Sequence, residues 1–325
     1  MPFIKLAELD EFQRLIIWPD KRERLSSNYF QKRVVKERAA HIKSFAGEAL
    51  TGVLTCLWFC KLMLRPLNKM GEYCTGLELL QLVHDILFHL GDRATRQADL
   101  LASTLVVHHQ VFLRLYGADA VKIKFHLLHH IPGCLKRFGT CLHCFKPERM
   151  HKDTLQSARR VSSRHAQQRE HYTLARCTLD QLKLDDLECS EYHLVNPSSD
   201  PTLLSPLSPL VNNIASVYRD NEMYCGCLGQ VKKNDLVLFT TSHSETAVGM
   251  AMLFCKCIST TSVDEFYFAG CAPYHRVNDL EWAPRQSPLI FILCTELRWL
   301  LPYLKADEGK VIPLMPSEAI KAAWD

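Results

Sequence analysis

The sequence lacks the segments that mark an exported or a membrane-spanning protein. Met1 to Asp10 mixes apolar and charged residues without a basic start and an apolar core, so no secretory signal is predicted. The most apolar stretch, Phe45 to Leu64, is interrupted by Glu48 and Lys61. Its uninterrupted part is shorter than the roughly 20 residues that a bilayer requires. We therefore expect an intracellular protein, nuclear or cytoplasmic, with no membrane partner and with a buried helix in this stretch.

The sequence also has little excess charge. It holds 39 lysines and arginines against 35 aspartates and glutamates, a formal net charge of +4. This balance indicates no strong affinity of the whole protein for nucleic acid, so any such affinity must come from local basic segments. At 325 residues with 47% hydrophobic side chains, the chain is long enough to bury a core and to form two domains.

Cysteine is abundant, with fourteen residues in a chain that shows no secretory signal. In that setting reduced thiols or metal ligands are expected rather than a disulfide framework. A free thiol among aliphatic neighbours behaves as a small hydrophobe. The cysteines predicted on this ground to be packing residues are Cys56, Cys60, Cys74, Cys255 and Cys257.

The first part of the chain has the pattern of a helical bundle. Apolar residues recur three and four positions apart in the segments 50–67, 77–90 and 96–116, which is typical of helices that face a core. Gly71 and Gly117 lie where helix ends are expected. A shorter helix is predicted to end or bend at Trp18-Pro19. We assign residues 1–185 to this helical region.

The rest of the chain has a different pattern. Asn196 to Pro209 holds four prolines and four serines, which disfavours helix and strand alike and predicts a linker at residues 186–221. Beyond it, short β-prone runs are separated by turn residues at 236–239, 247–258, 265–271 and 289–293. They predict a small β-barrel, similar to an SH3 domain or a chromo-barrel, at residues 222–318. The predicted fold class is thus α+β, mainly an α-helical bundle followed by a small β module.

Two segments are rich in basic residues. Between Lys21 and Lys43, on a stretch that otherwise suits a helix, eight basic residues stand against two acidic ones. Lys146 to Arg176 holds eight more basic residues. A solvated helix face explains such runs, and attraction for phosphate groups is the alternative. The residues predicted on the second reading to contact nucleic acid are Lys32, Arg33, Lys36, Arg149, Lys152, Arg159, Arg160 and Arg164.

The densest group of reactive side chains lies between Lys124 and Lys152, where five histidines and three cysteines occur. His126 and His130 are four residues apart, so on a helix both imidazoles share a face. Cys141 and Cys144 have the spacing with which two thiolates reach one tetrahedral ion. These four residues are predicted zinc ligands. The competing interpretation is structural histidines and buried thiols, which the short connection with its proline, glycine and phenylalanine favours.

No complete catalytic centre is recognisable. A redox pair of Cys141 and Cys144 lacks the strand–helix context of thioredoxin-like sites. A Cys144 nucleophile with His126 or His151 lacks an orienting acid and oxyanion donors. Glu148 is the remaining catalytic candidate, as a ligand of a divalent ion, but two-metal chemistry needs further carboxylates and no paired aspartates flanked by strands precede it. We expect no enzyme activity from this chain alone.

A longer set of residues resembles the carboxy-terminal part of CACTA-type transposases, as found in mobile-element-derived proteins of dinoflagellate-type genomes. The resemblance lies in the order of short motifs over about Leu15 to Lys152, and again in Lys233 to Phe239, where Asn234 replaces the usual glycine. The residues that carry the first part are the segment 41–51, which resembles a helix of that family, Leu115-Tyr116-Gly117, Lys124-Phe125-His126, His130, Phe138-Gly139, Cys144-Phe145, Glu148-Arg149 and His151-Lys152.

This resemblance implies a protein derived from a transposon. In the complete transposases the RNase H-like strands and the first catalytic aspartates lie before the matching region, so Glu148, if it is the family's last acid, stands here without its partners. The expected function is binding of DNA, or of a protein partner, through the basic segments. The alternative is a zinc-binding protein with the site at residues 126–144, which would need zinc as its one cofactor. A fragment without a selected role is the third possibility.

Overall fold

Helices occupy the amino-terminal part of the protein and strands the carboxy-terminal part. The computed structural model describes residues 5–19, 24–35, 38–42, 46–67, 70–89, 96–138, 192–241, 245–260 and 265–316. The α-helices are α1 (Leu6–Leu15), α2 (Tyr29–Arg33), α3 (Ala46–Phe59), α4 (Gly71–His89), α5 (Ala98–Tyr116), α6 (Ile123–Leu128), α7 (Ile131–Phe138) and α8 (Leu204–Leu207). The chain is therefore α+β, as the sequence predicts.

The strands begin early in the chain but gather near its end. The strands are β1 (Ile16–Ile17), β2 (Val34–Val35), β3 (Arg38–Ile42), β4 (Tyr192–Leu194), β5 (Ser198–Ser199), β6 (Ile214–Asp220), β7 (Glu222–Cys225), β8 (Gly229–Lys232), β9 (Leu236–Thr240), β10 (Thr246–Ser259), β11 (Glu265–Arg276), β12 (Trp282–Pro284), β13 (Ile290–Leu293), β14 (Leu297–Leu301), β15 (Tyr303–Lys305) and β16 (Val311–Pro313). The four β-prone runs correspond to β9, β10, β11 and β13, so these predictions are confirmed.

The three periodic segments form α3, α4 and α5, and their ends lie near the predicted glycines. Gly71 is the first residue of α4. Gly117 ends α5 with φ of 77°, a left-handed conformation that side chains with a Cβ rarely adopt, and its N–H donates to the Leu113 carbonyl at 2.9 Å. One stretch of the described helices, Glu48–Leu67, is long and apolar enough to span a membrane, and half of it is buried inside the protein.

The amino-terminal helices are fixed by a buried carboxylate. Asp10 of α1 is fully buried, and its two oxygens accept the backbone N–H groups of Phe30 and Gln31 at 2.9 and 3.1 Å. These amides belong to the first turn of α2, where helix N–H groups have no partner within the helix. The Asp10 side chain of α1 thus caps α2. The aromatic rings of Tyr29 and Phe30 are buried in the apolar cluster of the amino-terminal helices.

The prediction of a helix between Lys21 and Lys43 is wrong for most of the described residues of that segment. Only the short α2 is helical there, and it is followed by the antiparallel hairpin of β2 and β3, in which Val34 pairs with Ile42. Three β-branched residues, Val34, Val35 and Ile42, lie in this pair of strands and favour extended backbone.

The main sheet is organised around the long antiparallel hairpin of β10 and β11. The first half of β10 pairs with β9 and the second half with β6. On the other side, β11 pairs with β13 near its middle and with β12 at its end. The sheet continues from β12 through β16 and β15 to β1, so Ile16 and Ile17 from the amino-terminal segment form an edge strand. A separate three-stranded sheet has the order β4, β7, β8.

Residues 192–221, which fall within the predicted linker at 186–221, are folded. They contain β4, β5, α8 and β6, and Leu203, Leu207 and Val211 are buried against β10 and β11. Proline does not prevent this, because Pro201 lies at the start of a short 3-10 helix, where its missing N–H has no partner to lose. Asp200 caps that helix by accepting the Thr202 N–H at 3.1 Å.

Helices and strands share one apolar core, here called the helix–sheet cluster. It joins residues of α4, α5 and α7 to residues of the sheet: Val83, Ile86, Ala98, Leu101, Leu105, Leu135, Leu236, Leu238, Val248, Tyr274, Trp299, Leu301, Tyr303 and Val311. The predicted division into residues 1–185, 186–221 and 222–318 stays a prediction, but α4, α5 and α7 pack directly on the sheet. The described strands do not close into a barrel.

We predict that Leu101→Ala destabilises the sheet as well as α5. Leu101 is fully buried in the helix–sheet cluster, and removing its branched side chain leaves a cavity that costs about 2–5 kcal/mol. Urea unfolding followed by circular dichroism gives the loss of free energy. Hydrogen exchange of β9 shows whether the sheet is affected.

Leu113→Ala on the same helix is the matched control, because Leu113 is 45% exposed and its truncation should change stability by no more than about 0.5 kcal/mol. Unchanged exchange in β9 of the Leu101 variant would contradict a shared core.

Candidate functional site

Five histidines meet at one corner of the helical layer, here called the histidine corner. Two come from the middle of α5 and three from α6 and the turn that follows it: His108, His109, His126, His129 and His130. The turn is tight, since the N–H of His129 donates to the His126 carbonyl and that of His130 to the Leu127 carbonyl. The corner thus results from a helix break only two residues long between α6 and α7.

His126 and His130 lie next to each other, as their spacing predicts. Their Nε2 atoms are 3.2 Å apart, with ring centroids at 4.9 Å and ring planes at 84°. Both side chains are exposed. The neighbouring Ile123 and Leu127 are exposed as well, at 75% and 56%, so this face of α6 contacts no other described element closely.

A second pair joins α5 to the turn. His109 Nδ1 lies 2.5 Å from His129 Nε2, so one ring donates and the other accepts. Phe125 stacks on His108 with ring planes at 11° and contacts His109 at 4.7 Å between centroids. The buried Nε2 of His109 has no hydrogen-bond partner among the described residues.

Burial controls the protonation of the α5 histidines. Desolvation lowers the pKa of His108 below its ordinary value. It also lowers the pKa of His109, with smaller contributions from the neighbouring His129 and His108. His108 and His109 thus both favour the neutral imidazole.

Of the four predicted zinc ligands, the structure brings two together. Cys141 and Cys144 lie outside the described residues, as does the catalytic candidate Glu148. Within the described ranges no group of three or more His, Cys, Asp or Glu side chains is close enough to hold a metal ion. Of the predicted ligands, His126 and His130 are thus described and lie side by side, and the second pair, His109 with His129, is not predicted from the sequence. The His108-His109 doublet on a predicted helix was its only signal.

The predicted nucleic-acid contacts are described only in part. Lys32 is exposed, with no ion-pair partner among the described residues. Arg33 instead donates to both oxygens of Glu48 at 3.0 and 3.1 Å. The others, Lys36, Arg149, Lys152, Arg159, Arg160 and Arg164, lie outside the described residues.

The described packing cysteines are free thiols. Cys60, Cys74, Cys255 and Cys257 are buried and Cys56 is half-buried, all as free thiols. Desolvation raises the pKa of Cys60 to about 12, so its nucleophilic thiolate is scarce. Burial is the behaviour expected of thiols that pack as small hydrophobes.

An open polar cleft of about 730 Å³ lies at one end of the sheet, next to β5 and the β6–β7 turn. Its charges are largely satisfied within the protein. Asp200 accepts from Arg219 at 3.5 Å, Glu222 from Lys232 at 3.1 Å, and Asp220 from the backbone N–H groups of residues 196, 221 and 222. With three cationic and three anionic side chains in its wall, the cleft does not attract a polyanion.

Comparison with protein-family models, curated proteins and solved structures finds no match for this chain.

We predict that acid destabilises the protein through His109. Its folded-state pKa lies below the ordinary 6.5, so the unfolded chain binds a proton more readily than the folded one. The contribution of His109 to the free energy of unfolding is fully present above pH 6.5 and is lost as the pH falls below it. Urea unfolding should give a lower free energy of unfolding at about pH 5.5 than at about pH 7.5 for the wild type. The difference should be smaller for His109→Gln.

His275→Gln is the control for this experiment, because His275 is exposed on β11, away from the histidine corner. An equal fall in stability for wild type and the His109 variant would exclude the assigned role.

Proposed function

We propose that this protein is a transposon-derived, non-catalytic protein that binds nucleic acid through basic residues of its helical part. The observation that carries the proposal is the basic composition of the segment 146–176. Some basic residues of the sheet, such as Lys232, Lys256 and Arg298, have carboxylate partners at 2.5–3.1 Å. The exposed Lys32 of α2 has none among the described residues.

Two further basic residues lie at the end of α7. Lys136 and Arg137 are exposed in its last turn, although Lys136 contacts Asp99 at 2.5 Å. The chain then enters the segment 146–176, which holds eight basic residues against three acidic ones. Lysine and arginine in such numbers bind phosphate groups without sequence preference and with a strong dependence on salt.

The proposed origin has one further support. At Asn234, where the resembling transposase motif has glycine, φ is 73°. Asparagine is one of the few residues with a Cβ that adopt this conformation readily. The Asn234 N–H donates to the Ala251 carbonyl at 2.7 Å, which ties the turn before β9 to β10. A residue tolerant of positive φ is thus required here, as the motif implies.

We also propose that strands β9 to β16 form a partly open, SH3-like barrel. Strands β14 and β15 are separated by Pro302 alone, and they pair with β9 on one side and β16 on the other. Together they behave as one strand bent at proline. The path β9, β10, β11, β12, β16, β15 therefore returns towards its start.

The test is a charge reversal in the basic segment. Arg159→Glu, Arg160→Glu and Arg164→Glu together should weaken binding to a short DNA duplex. If each arginine contacts a phosphate, the slope of log affinity against log salt should fall by about 3. Fluorescence anisotropy of the full chain at several salt concentrations measures both quantities.

A second triple variant carries the same change of charge on the strand side: Lys233→Glu, Arg285→Glu and Lys305→Glu, all exposed in the structure. It should keep the wild-type slope. Equal losses of DNA affinity in both triple variants would contradict binding through the basic segment. Wild-type affinity no greater than that of a neutral protein at low salt would refute nucleic-acid binding.

A further inference from the structure

We propose that His126 and His130 form a two-imidazole site for a divalent cation of the zinc class. The proposal is independent of nucleic-acid binding. It rests on the geometry of the two rings, on their exposure and on the way α5 and α7 hold the turn between them.

The distance between the ring nitrogens fits one shared ion. Zinc binds imidazole nitrogen at about 2.0–2.1 Å. Two Nε2 atoms 3.2 Å apart, each about 2.05 Å from an ion, would subtend an angle of about 103° at it. This is close to the tetrahedral angle. Cations that favour imidazole ligands, such as Zn²⁺, Ni²⁺ and Cu²⁺, are therefore suited to the pair, whereas Mg²⁺ and Ca²⁺ prefer oxygen ligands.

The tautomers must change when an ion binds. Without metal, the contact between the two Nε2 atoms requires one of them to carry a hydrogen. With metal, both Nε2 lone pairs point at the ion, and both rings carry their hydrogen on Nδ1. Two neutral rings can make this change without net release of a proton, because the hydrogen moves from Nε2 to Nδ1 within one ring.

The pair is accessible and its backbone is fixed. Both imidazoles are exposed, so an ion can reach them and keep water in its remaining positions. The N–H of Cys134 in α7 donates to the His130 carbonyl at 3.0 Å. Leu128 and Ile131, on either side of His130, pack against the helix–sheet cluster. Binding therefore requires little ordering of the backbone, which is a cost that weakens flexible sites.

A cation of the next helix is paired within the protein. Lys136, on the next helix, is held by Asp99 at 2.5 Å between Nζ and Oδ1. The Nε2 atom of His129 is hydrogen-bonded to His109 and is therefore not a third ligand. The site is thus a pair, and its affinity depends equally on both rings.

The experiment is a titration of the metal-stripped full chain with Zn²⁺, monitored by ¹⁵N NMR of the histidine rings. We expect saturable shifts at Nε2 of His126 and His130. Because loss of a mere supporting contact to a metal ligand costs about 10–100-fold in affinity, His126→Gln and His130→Gln should each weaken binding by at least about 10-fold. His275→Gln, an exposed histidine on β11, should leave the affinity unchanged.

The same titration of a Cys141→Ser/Cys144→Ser variant separates the imidazole pair from thiolate binding. Saturable binding that still requires both histidines supports the proposal. Binding that persists without His126 and His130, or shifts at Nδ1 instead of Nε2, overturns it, as does the absence of binding in the Cys variant. Circular dichroism of each variant establishes that the loss is not one of folding.

Discussion

The fold depends on β9 being buried on both of its faces. Leu236 and Leu238 point into the helix–sheet cluster, while Val237 and Phe239 point into a second cluster that covers the three-stranded sheet. All four side chains are at most 1% exposed. A strand with this pattern cannot lie at the surface of an independent module, because each face needs its own apolar cover. The helices of the first part supply one cover and β4, β7 and β8 supply the other.

The same constraint explains the irregularity of β10. The register shifts between Ala251 and Leu253, and this changes which side chains face the three-stranded sheet. Ala251 faces it before the bulge, and Phe254 faces it after, while Leu253 and Cys255 turn towards α8. One strand can therefore cover two different partners along its length. Gly249 adds a close approach, since a Cβ there would lie 3.0 Å from the Ala272 carbonyl oxygen.

These features mark how far the sequence predicts the structure. Helical periodicity predicts α3, α4 and α5, and β propensity predicts β9, β10, β11 and β13, because both signals are local. The pairing of Ile16 with Leu304 is beyond such signals, since it joins segments at opposite ends of the chain. The prolines of residues 197–209 do not prevent folding because Pro201 begins a 3-10 helix and Pro209 lies in a turn, while Leu203 and Leu207 between them are buried. The His126–His130 contact could be predicted from spacing, whereas the His109–His129 contact depends on how α5 and α6 pack.

The histidine corner combines a buried support with an exposed surface. Leu101, Leu105 and Leu135 hold α5 and α7 to the sheet, and the short α6 between them is fixed by its ends. A helix of six residues has little stability of its own, so the position of His126 derives from the packing of its neighbours. Phe125 is turned inwards onto the rings of α5 and leaves His126 directed outwards. The core thus determines the separation of two side chains that contribute almost nothing to it.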